Sequence, residues 1–176
     1  MRQNEQCSPD ISISVFRAPQ ETGVIELITA IQQKEFSLSI TAADQPDLMS
    51  IPEFYQVGCG NFWTASSNGQ VVGTIALLDI GEKQAALRKM FVHPSFRGKH
   101  TGTAQKLLKT LLSWSAQNEI HDIFLGTTPK FLAAHRFYEK NSFVEIPQSA
   151  LPDSFPIMKV DTKFYTYNVA AAETDV

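Results

Sequence analysis

The most informative stretch of this sequence is Leu87-Arg-Lys-Met-Phe-Val-His-Pro-Ser-Phe-Arg-Gly-Lys-His-Thr-Gly-Thr-Ala-Gln-Lys-Leu-Leu108. A mainly apolar run from Ala85 to Val92 is stopped by His93-Pro94, which predicts a strand. A helix follows, because apolar side chains recur at the spacing of one helical face. These side chains are Ala104, Leu107, Leu108, Leu111 and Leu112. The stretch therefore predicts a strand, a glycine-containing loop and a helix.

The loop of this unit, Arg97-Gly-Lys-His-Thr-Gly-Thr-Ala104, has the chemistry of a phosphate site. Unpaired amides at a helix N-terminus, the positive end of the helix dipole and glycines that allow close approach all favour a bound phosphate. The loop is not a Walker A motif, because Gly98-Lys99 is followed by His100 and not by Ser or Thr. It is not a dinucleotide-binding GxGxxG turn either, and it lies too late in the chain for one.

Charge is unevenly distributed along the 176 residues, whose net charge is −3. Residues 83–109 hold seven Lys or Arg and no Asp or Glu, whereas 1–82 sum to −7 and 110–176 to −3. The total argues against a general nucleic-acid binder but leaves room for one phosphorylated cofactor. A solvated basic face and a nucleotide- or nucleic-acid-binding surface are the alternatives for this segment.

The rest of the chain predicts one mixed α/β (α+β) domain over residues 11–169, between an N-terminal tail (1–10, disordered) and a C-terminal tail (170–176). Its order is β-α-α-β-β-β-α-β-α-β-β. Before the central stretch, the predicted elements are a strand at 11–15, helices at 21–35 and 46–56, and strands at 62–66 and 70–79. In the first strand, Ile11, Ile13 and Val15 are predicted to point inward. Ser67-Asn68-Gly69 predicts a hairpin between those two strands, which with 85–92 form an antiparallel meander.

After the central stretch, a short strand is predicted at Ile123-Phe124-Leu125. A helix then begins at the cap Thr128-Pro129 and ends near Lys140, with Asn141 as its left-handed C-terminal residue. Strands at 143–146 and 164–169 close the sheet, and a free edge near the second of them would support a homodimer.

A second segment strengthens the interpretation of the first: Ala134-His-Arg-Phe-Tyr-Glu-Lys-Asn-Ser-Phe143. The two segments together resemble the GNAT superfamily of N-acetyltransferases, whose motifs are Val-x-Pro, then Arg/Gln-x-x-Gly-x-Gly/Ala before a Leu-rich helix, and Ala-x-x-x-Tyr-x-Lys-x-Gly-Phe. The resemblance covers 11–169 and implies the GNAT-like acyl-CoA N-acyltransferase fold. It also implies transfer of an acetyl group from acetyl-CoA to a primary amine of a small molecule or peptide, by direct attack in a ternary complex.

The resemblance implies roles for twelve residues. The backbone of Met90, Phe91 and Val92 would contact the pantetheine arm and thioester, with amides near Phe91 stabilising the oxyanion. Tyr138 would protonate the leaving sulfur. The pyrophosphate would lie on the remaining eight, which are Arg97, Gly98, Lys99, His100, Thr101, Gly102, Thr103 and Ala104. Plain core packing is the alternative for residues 90–92 and for Tyr138, and Trp63, Phe91 and Phe124 are predicted to be mostly core.

The sequence departs from the family pattern at four positions. His100 replaces the first motif glycine, Phe131 an asparagine that contacts pantetheine, and Ser142 the glycine before Phe143. Ala86 stands where many members carry a glutamate that acts as general base. The base is therefore open, and the candidates are Asp79, Glu82, Glu35 and water. A non-catalytic acyl-CoA-sensing module of the same fold is the alternative function.

The acceptor amine would contact the first two helices and the loop before the last strand. Candidate side chains there are Phe36, Asp44, Asp47, Glu53, Phe54 and Tyr55, with the loop 151–156. Acidic and aromatic groups suit a cationic or partly apolar amine, although Asp44 and Asp47 have helix capping as the alternative.

Other sequence features predict a cytoplasmic protein. The first residues lack the apolar stretch of a signal peptide, and no apolar run is long enough to span a membrane. Two cysteines do not form a disulfide framework, and the four histidines match no metal-ligand spacing. We therefore predict no metal, no membrane partner and no nucleic-acid partner.

Overall fold

The structure is a computed structural model that describes residues 9–128 and 132–173. It contains a seven-stranded sheet of order β1-β2-β3-β4-β5-β7-β6. The strands are β1 Ser12–Val15, β2 Asn61–Ser67, β3 Gln70–Gly81, β4 Gln84–Val92, β5 Asp122–Thr127, β6 Val144–Ile146 and β7 Lys163–Asn168. All neighbours are antiparallel except β4 and β5, which are parallel. The predicted mixed α/β fold and its mostly antiparallel sheet are confirmed.

Helices cover both faces of this sheet. They are α1 Glu21–Lys34, α2 Ile51–Phe54, α3 Thr103–Gln117, α4 Leu132–Lys140 and α5 Val169–Glu173. On one face, α1 and α2 pack Ile28 and Ile51 against Phe62 of β2. On the other face, Leu107 and Leu111 of α3 pack with Trp63, the next residue of the same strand. Successive side chains of a strand point to opposite faces, so β2 contributes to both cores.

The hairpin between β2 and β3 forms as the sequence predicts. Asn68 and Gly69 connect the strands with φ values of 50° and 77°. Two successive positive φ angles define the type I′ turn, whose twist matches that of the strands it joins. The antiparallel meander of β2, β3 and β4 is likewise present.

Strands β4 and β5 separate soon after they meet. Their pairing involves only Gln84 to Ala86 of β4, and the rest of β5 pairs with β7 alone. Beyond the pairing, β4 contains a bulge: Lys89 has φ 54°, and the register with β3 shifts between Thr74 and Ala76. The Thr74 hydroxyl donates to the Lys89 carbonyl at 2.6 Å and fixes the bulge. A gap therefore opens between the second half of β4 and the end of β5.

Two helical predictions need correction. The helix expected over 46–56 is broken into a 3₁₀ turn at Pro46–Met49 and the short α2, with non-helical Ser50 between them. A continuous helix would set the ring of Pro52 against the carbonyl of Leu48, which explains the break. The left-handed residue that ends α4 is Ser142, with φ 70°, and not Asn141. The predicted start of α4 at Thr128-Pro129 lies partly outside the described residues.

The ends of the sheet also differ from the prediction. The segment expected to supply a free edge, 164–169, belongs to β7, which pairs with β5 on one side and β6 on the other. The edge strand on this side is β6. In β1, Val15 is 42% exposed and not inward. The helix α5 was not predicted, and its first residue Val169 is buried against the core.

Candidate active site

The gap between β4 and β5 opens into a cleft of about 270 Å³. It is bordered by β4, the end of β5, α4, the segment 38–47 and the loop before β7. Lining side chains from the sheet and α4 include Leu87, Met90, Phe91, Leu125 and Tyr138. The separation of two strands therefore brings five parts of the chain around one space.

The N-terminus of α3 forms an open cradle. Gly98 and Gly102 have φ values of 95° and 62°, and a Cβ built on either would meet nothing within 4 Å. Among the described residues, the amides of Thr103, Ala104 and Gln105 have no hydrogen-bond acceptor. The buried Thr103 hydroxyl also lacks a partner. Free donors at the positive end of a helix, with room above them, fit the phosphates of a nucleotide cofactor.

Arg97, predicted to hold the pyrophosphate, has its side chain directed elsewhere. Its guanidinium makes two hydrogen bonds to the Glu35 carboxylate, at 2.6 and 2.7 Å, and its Nε donates to the Val92 carbonyl at 2.9 Å. Arg97 therefore anchors the loop to α1 and β4, while the side chains of Lys99 and His100 are exposed. Thr101 closes the loop by donating to the Phe96 carbonyl at 2.6 Å.

Tyr138 lies in α4 with its ring in the core and lines the cleft. The ring packs against Phe143 and Tyr165 at centroid distances of 5.5 and 6.1 Å. No described residue makes a hydrogen bond to its hydroxyl, and burial raises its pKa well above the usual range. The predicted packing role is thus present, and an unpartnered neutral phenol also lines the cleft.

The three residues predicted on β4 differ in their surroundings. Phe91 pairs with Thr74 of β3, and its side chain lines the cleft. Met90 lies in the bulge and pairs with no residue of β3 or β5, so its backbone is free toward the gap. The Val92 carbonyl is taken by Arg97. Trp63 and Phe124 are buried, as predicted.

A buried polar network borders the cleft and was not predicted. Lys89 forms an ion pair with Asp47 at 3.3 Å, and their side chains are only 8% and 9% exposed. Lys89 also donates to Gln45 at 2.7 Å, and the Tyr55 hydroxyl donates to Asp47 at 2.6 Å. Burial lowers the pKa of Lys89, and the charge of Asp47 opposes this shift. Asp47 is therefore neutralised by a strand lysine, whereas Asp44 does cap, accepting from the Thr41 amide.

Arg88 and Asp161 form a second unpredicted feature of the cleft. The Arg88 guanidinium lies 5.8 and 5.9 Å from the ring centres of Phe54 and Tyr55, and it donates to the Met158 sulfur at 3.7 Å. No described carboxylate lies within 4 Å of it. Asp161 accepts from the Met158 amide at 3.0 Å. Burial raises the pKa of Asp161, and the positive charge of Arg88 opposes this shift.

The sequence contained a partial signal for these residues. Arg88 and Lys89 belong to the basic segment 83–109, but that segment was assigned to phosphate binding as a whole. Asp161 follows a proline-containing loop, and no local pattern distinguishes it from a surface acid. Its position depends on contacts with residues far away in sequence.

None of the predicted candidates for a general base lines the cleft. Asp79 accepts from the amides of Gly81 and Cys59, and Glu82 is exposed in the turn before β4. Glu35 is held by Arg97 and borders a separate pocket of about 310 Å³ beside α1. Ala86 is fully buried.

The described part of the chain contains no group of three or more His, Cys, Asp or Glu arranged to hold a metal ion. Within 9–128 and 132–173, no helix has both the length and the apolar character needed to cross a bilayer.

A sheet with two parting parallel strands, beside a helix that offers free N-terminal amides, defines an α/β protein suited to a phosphate-bearing cofactor. The profile of the acetyltransferase (GNAT) family matches residues 25–143, which is more than half of the chain. The chain therefore belongs to the GNAT family, as its two motifs predict.

Individual relatives agree with this assignment. The crystal structure of a GNAT-family acetyltransferase from Staphylococcus aureus has a TM-score of 0.86 and 38% identity, covering 91% of this chain and 99% of that one. A Salmonella typhimurium protein solved with its cofactor acetyl-CoA has a TM-score of 0.66 and 16% identity over 91% and 94% of the two chains. That second likeness shows the fold alone.

Sequence comparison adds a eukaryotic relative. N-acetylaspartate synthetase of Xenopus tropicalis is 34% identical over 109 residues, which are 61% of this chain and 40% of that protein. The chain spans 36% to 65% of the length of the first three curated relatives that it matches.

Proposed function

We propose that this chain is an N-acetyltransferase that moves the acetyl group of acetyl-CoA to a primary amine of a small molecule or peptide in a ternary complex. One observation carries the proposal: within a GNAT family member, an unpartnered phenol, Tyr138, lines a cleft formed where β4 and β5 part. A non-catalytic acyl-CoA-sensing module would need the cradle but would have no use for that hydroxyl.

The cradle supports binding of the cofactor through main-chain groups. The amides of Thr103, Ala104 and Gln105 are donors without partners, and they would hold the diphosphate. The buried Thr103 hydroxyl, which also lacks a partner, would join them by turning toward the ligand. Gly98 and Gly102 leave the space above them open. The free backbone of Met90 would contact the pantetheine arm, as an extra strand does in the gap of a sheet.

The chain's own groups would then promote the transfer. Bound acetyl-CoA supplies an activated acyl thioester. Backbone amides of the bulged strand around Met90 would stabilise the negative charge that develops on the acetyl oxygen. Tyr138 would give its proton to the departing sulfur, because its raised pKa keeps it protonated at neutral pH. Holding both substrates in one cleft would contribute the remaining rate increase.

The acceptor that this cleft fits best is an amine that also carries a carboxylate. The sequence favoured a cationic acceptor because of acidic side chains such as Asp47. Lys89 neutralises Asp47, so this argument is weakened. Arg88 has N–H groups without a carboxylate partner and is held between aromatic rings and Met158. Such a preoriented guanidinium binds carboxylates in pairs of hydrogen bonds. The name of the relative N-acetylaspartate synthetase is consistent with this class.

An amine panel tests the proposal. The chain would be incubated with acetyl-CoA and dicarboxylic, neutral or basic amino acids, polyamines or peptides, and release of the CoA thiol followed. We expect turnover, with carboxylated amines preferred, and loss of that preference in Arg88→Gln. Acetyl-CoA binding by calorimetry without turnover of any amine would instead favour the sensing module. A cytoplasmic location and a homodimer remain predictions.

A further inference from the structure

The reaction needs a group that takes a proton from the acceptor, because a primary amine is largely an ammonium ion at neutral pH. The position of the family's usual glutamate, Ala86, is fully buried in an apolar cluster with Phe124, Phe155 and Phe164. The described neighbours in this cluster are apolar and include no carboxylate. A group elsewhere in the cleft must therefore accept the proton of the acceptor ammonium.

Among the described residues, three carboxylates line the cleft: Asp44, Asp47 and Asp161. Asp44 is tied to its own turn by hydrogen bonds from the Thr41 amide and hydroxyl, both at 2.9 Å, and these bonds lower its pKa. Asp47 is held by Lys89 and by the Tyr55 hydroxyl. In each residue two donors hold Oδ2; in addition, Asp47 is neutralised by a lysine and Asp44 is exposed to solvent.

Asp161 differs from both because it has a single hydrogen-bond donor and is partly buried without an ion pair among the described residues. One carboxylate oxygen, Oδ2, accepts from the Met158 amide, and no described residue donates to Oδ1. The side chain lies directly against β5: a Cβ built on Gly126 would be 2.5 Å from Oδ2. This close approach is possible only because residue 126 has no side chain.

The register places Asp161 on the correct side of the sheet. Ala86 pairs with Phe124, and Gly126 follows two residues later on the same face of β5. Asp161 covers Gly126, so it lies on the face of the Ala86 position, about 7 Å further along the strand. That displacement leads toward the end where the strands part and the acceptor enters.

We propose that Asp161, on the loop before β7, is the general base that takes the proton from the acceptor ammonium in place of the missing glutamate. The assignment rests on the proposed acetyl transfer. The ammonium gives one proton to Asp161, and its nitrogen lone pair forms a bond to the acetyl carbon. The carbon–sulfur bond breaks, and the thiolate takes a proton from Tyr138. The second nitrogen proton restores Tyr138, and Asp161 returns its own proton to solvent.

Charged groups around Asp161 set the pH at which it works. Arg88 of β4 favours the carboxylate, and burial disfavours it, so the pKa is raised less than burial alone would raise it. Lys89 and Asp47 face the same cleft as a neutral pair, and Tyr138 stays protonated. The raised pKa makes this carboxylate a stronger proton acceptor than an exposed aspartate.

The test compares Asp161→Asn with the matched variant Asp122→Asn, which removes a partly buried carboxylate at the start of β5, outside the cleft. We expect Asp161→Asn to lower kcat by about 10²-fold and to remove the acidic limb of the pH profile of kcat/KM. Acetyl-CoA binding by calorimetry and Tm should stay close to those of the parent. Asp122→Asn should retain kcat and the acidic limb, and Asp161→Glu should recover part of the rate.

A second variant changes the position of the Asp161 carboxylate without replacing Asp161. In Gly126→Ala, the added methyl would displace the Asp161 carboxylate, so kcat should fall without any change at residue 161. An Asp161→Asn protein with the parent's kcat and acidic limb would overturn the assignment. A raised KM for the amine with that limb intact would also overturn it, because the carboxylate would then only bind the ammonium. If the parent binds acetyl-CoA but turns over no amine, the acetyl-transfer proposal itself fails.

Discussion

At the scale of single residues, Tyr138 shows how one side chain fills two roles. Its ring packs against Phe143 and Tyr165 in the main core, and its hydroxyl has no partner among the described residues. The ring is buried, whereas the hydroxyl is not one of the buried polar atoms without a partner and therefore reaches the space of the cleft. The hydroxyl could therefore contact a substrate in the cleft without losing a hydrogen bond within the protein.

Replacement of Tyr138 by phenylalanine separates these two roles. Tyr138→Phe should lower kcat by about 10²-fold, because it removes the proton donor to the leaving sulfur. Tm and acetyl-CoA affinity should change little, because the ring is kept and no hydrogen bond is lost. The measurement is steady-state thiol release together with calorimetric binding.

The matched control is Tyr167→Phe. Tyr167 also packs against Phe143, at 5.0 Å, but does not line the cleft, so this variant should keep the parent's kcat. Unchanged turnover in Tyr138→Phe would show that another group protonates the sulfur.

The sequence predicted some residues of the site and missed others for a physical reason. The loop 97–104 and Tyr138 lie within short motifs, where local spacing carries the information. Arg88, Lys89 and Asp161 act through contacts such as Lys89 with Asp47, which are 42 positions apart. A local sequence pattern cannot show such pairs. It also could not show that Glu35 binds Arg97 and lies outside the cleft.

At the scale of elements, the N-terminus of α3 is the part most prepared for a ligand. Thr103 has a buried hydroxyl with no partner, in the first turn of a helix that has no side-chain cap. An unsatisfied buried hydroxyl destabilises the free protein, and a phosphate bound at the neighbouring amides would satisfy it once the side chain turned toward the cradle. Removal of this hydroxyl should therefore increase the stability of the free protein and decrease its affinity for CoA.

Replacement by valine tests this directly. Thr103→Val should leave Tm unchanged or raise it, because no hydrogen bond is lost, and should weaken CoA binding by about tenfold. Calorimetry and thermal unfolding measure the two effects. As a control, Thr110→Val removes a hydroxyl that donates to the Lys106 carbonyl on the same helix and should leave CoA affinity unaltered. A lowered Tm with full affinity in Thr103→Val would contradict the assignment of the cradle.

The ion pair of Lys89 and Asp47 joins the 3₁₀ turn at Pro46–Met49 to the bulge of β4. Lys89→Met should lower the free energy of unfolding by about 3 kcal/mol, because it leaves the Asp47 charge buried and uncompensated. The double variant Asp47→Asn/Lys89→Met should recover much of this loss, since both charges are then removed. Denaturant unfolding gives the values. A loss under about 1 kcal/mol, typical of an exposed pair, would show that water solvates the site.

Elements with strong local signals were predicted most accurately. The Asn68-Gly69 turn fixes the hairpin, and the leucine stripe fixes α3, so both appear as expected. The interior place of β7 was missed because pairing with β5 and β6 is set by the sheet as a whole. The break at Ser50 follows from a steric effect of Pro52 that apolar spacing does not reveal.

At the scale of the whole molecule, the basic segment carries less free charge than its sequence count suggests. Three of its seven cations have acidic partners: Lys83 with Glu119, Lys89 with Asp47 and Arg97 with Glu35. Arg88 lies in the cleft, which leaves Lys99, Lys106 and Lys109 on the surface near the cradle. Three surface lysines suit one small phosphorylated ligand better than an extended polyanion.

Salt dependence distinguishes these two kinds of ligand. Between about 50 and about 500 mM NaCl, affinity for CoA should fall by no more than about tenfold, because few exposed charges contribute. A random DNA duplex should show no saturable binding over the same range. Steep loss of DNA affinity with salt, of the kind that 6–10 phosphate contacts give, would instead indicate a nucleic-acid surface. Fluorescence anisotropy measures both.

The contact between Gly126 and Asp161 restricts how this site can change in evolution. A Cβ at 126 and the carboxylate at 161 would compete for the same volume, at a separation of 2.5 Å. A larger residue at 126 is compatible only with a shorter or redirected side chain at 161. Among sequences with this fold, the two positions should therefore covary. Gain or loss of the acid at 161 would require a change at 126 as well. Related sequences should therefore keep or lose the two residues together.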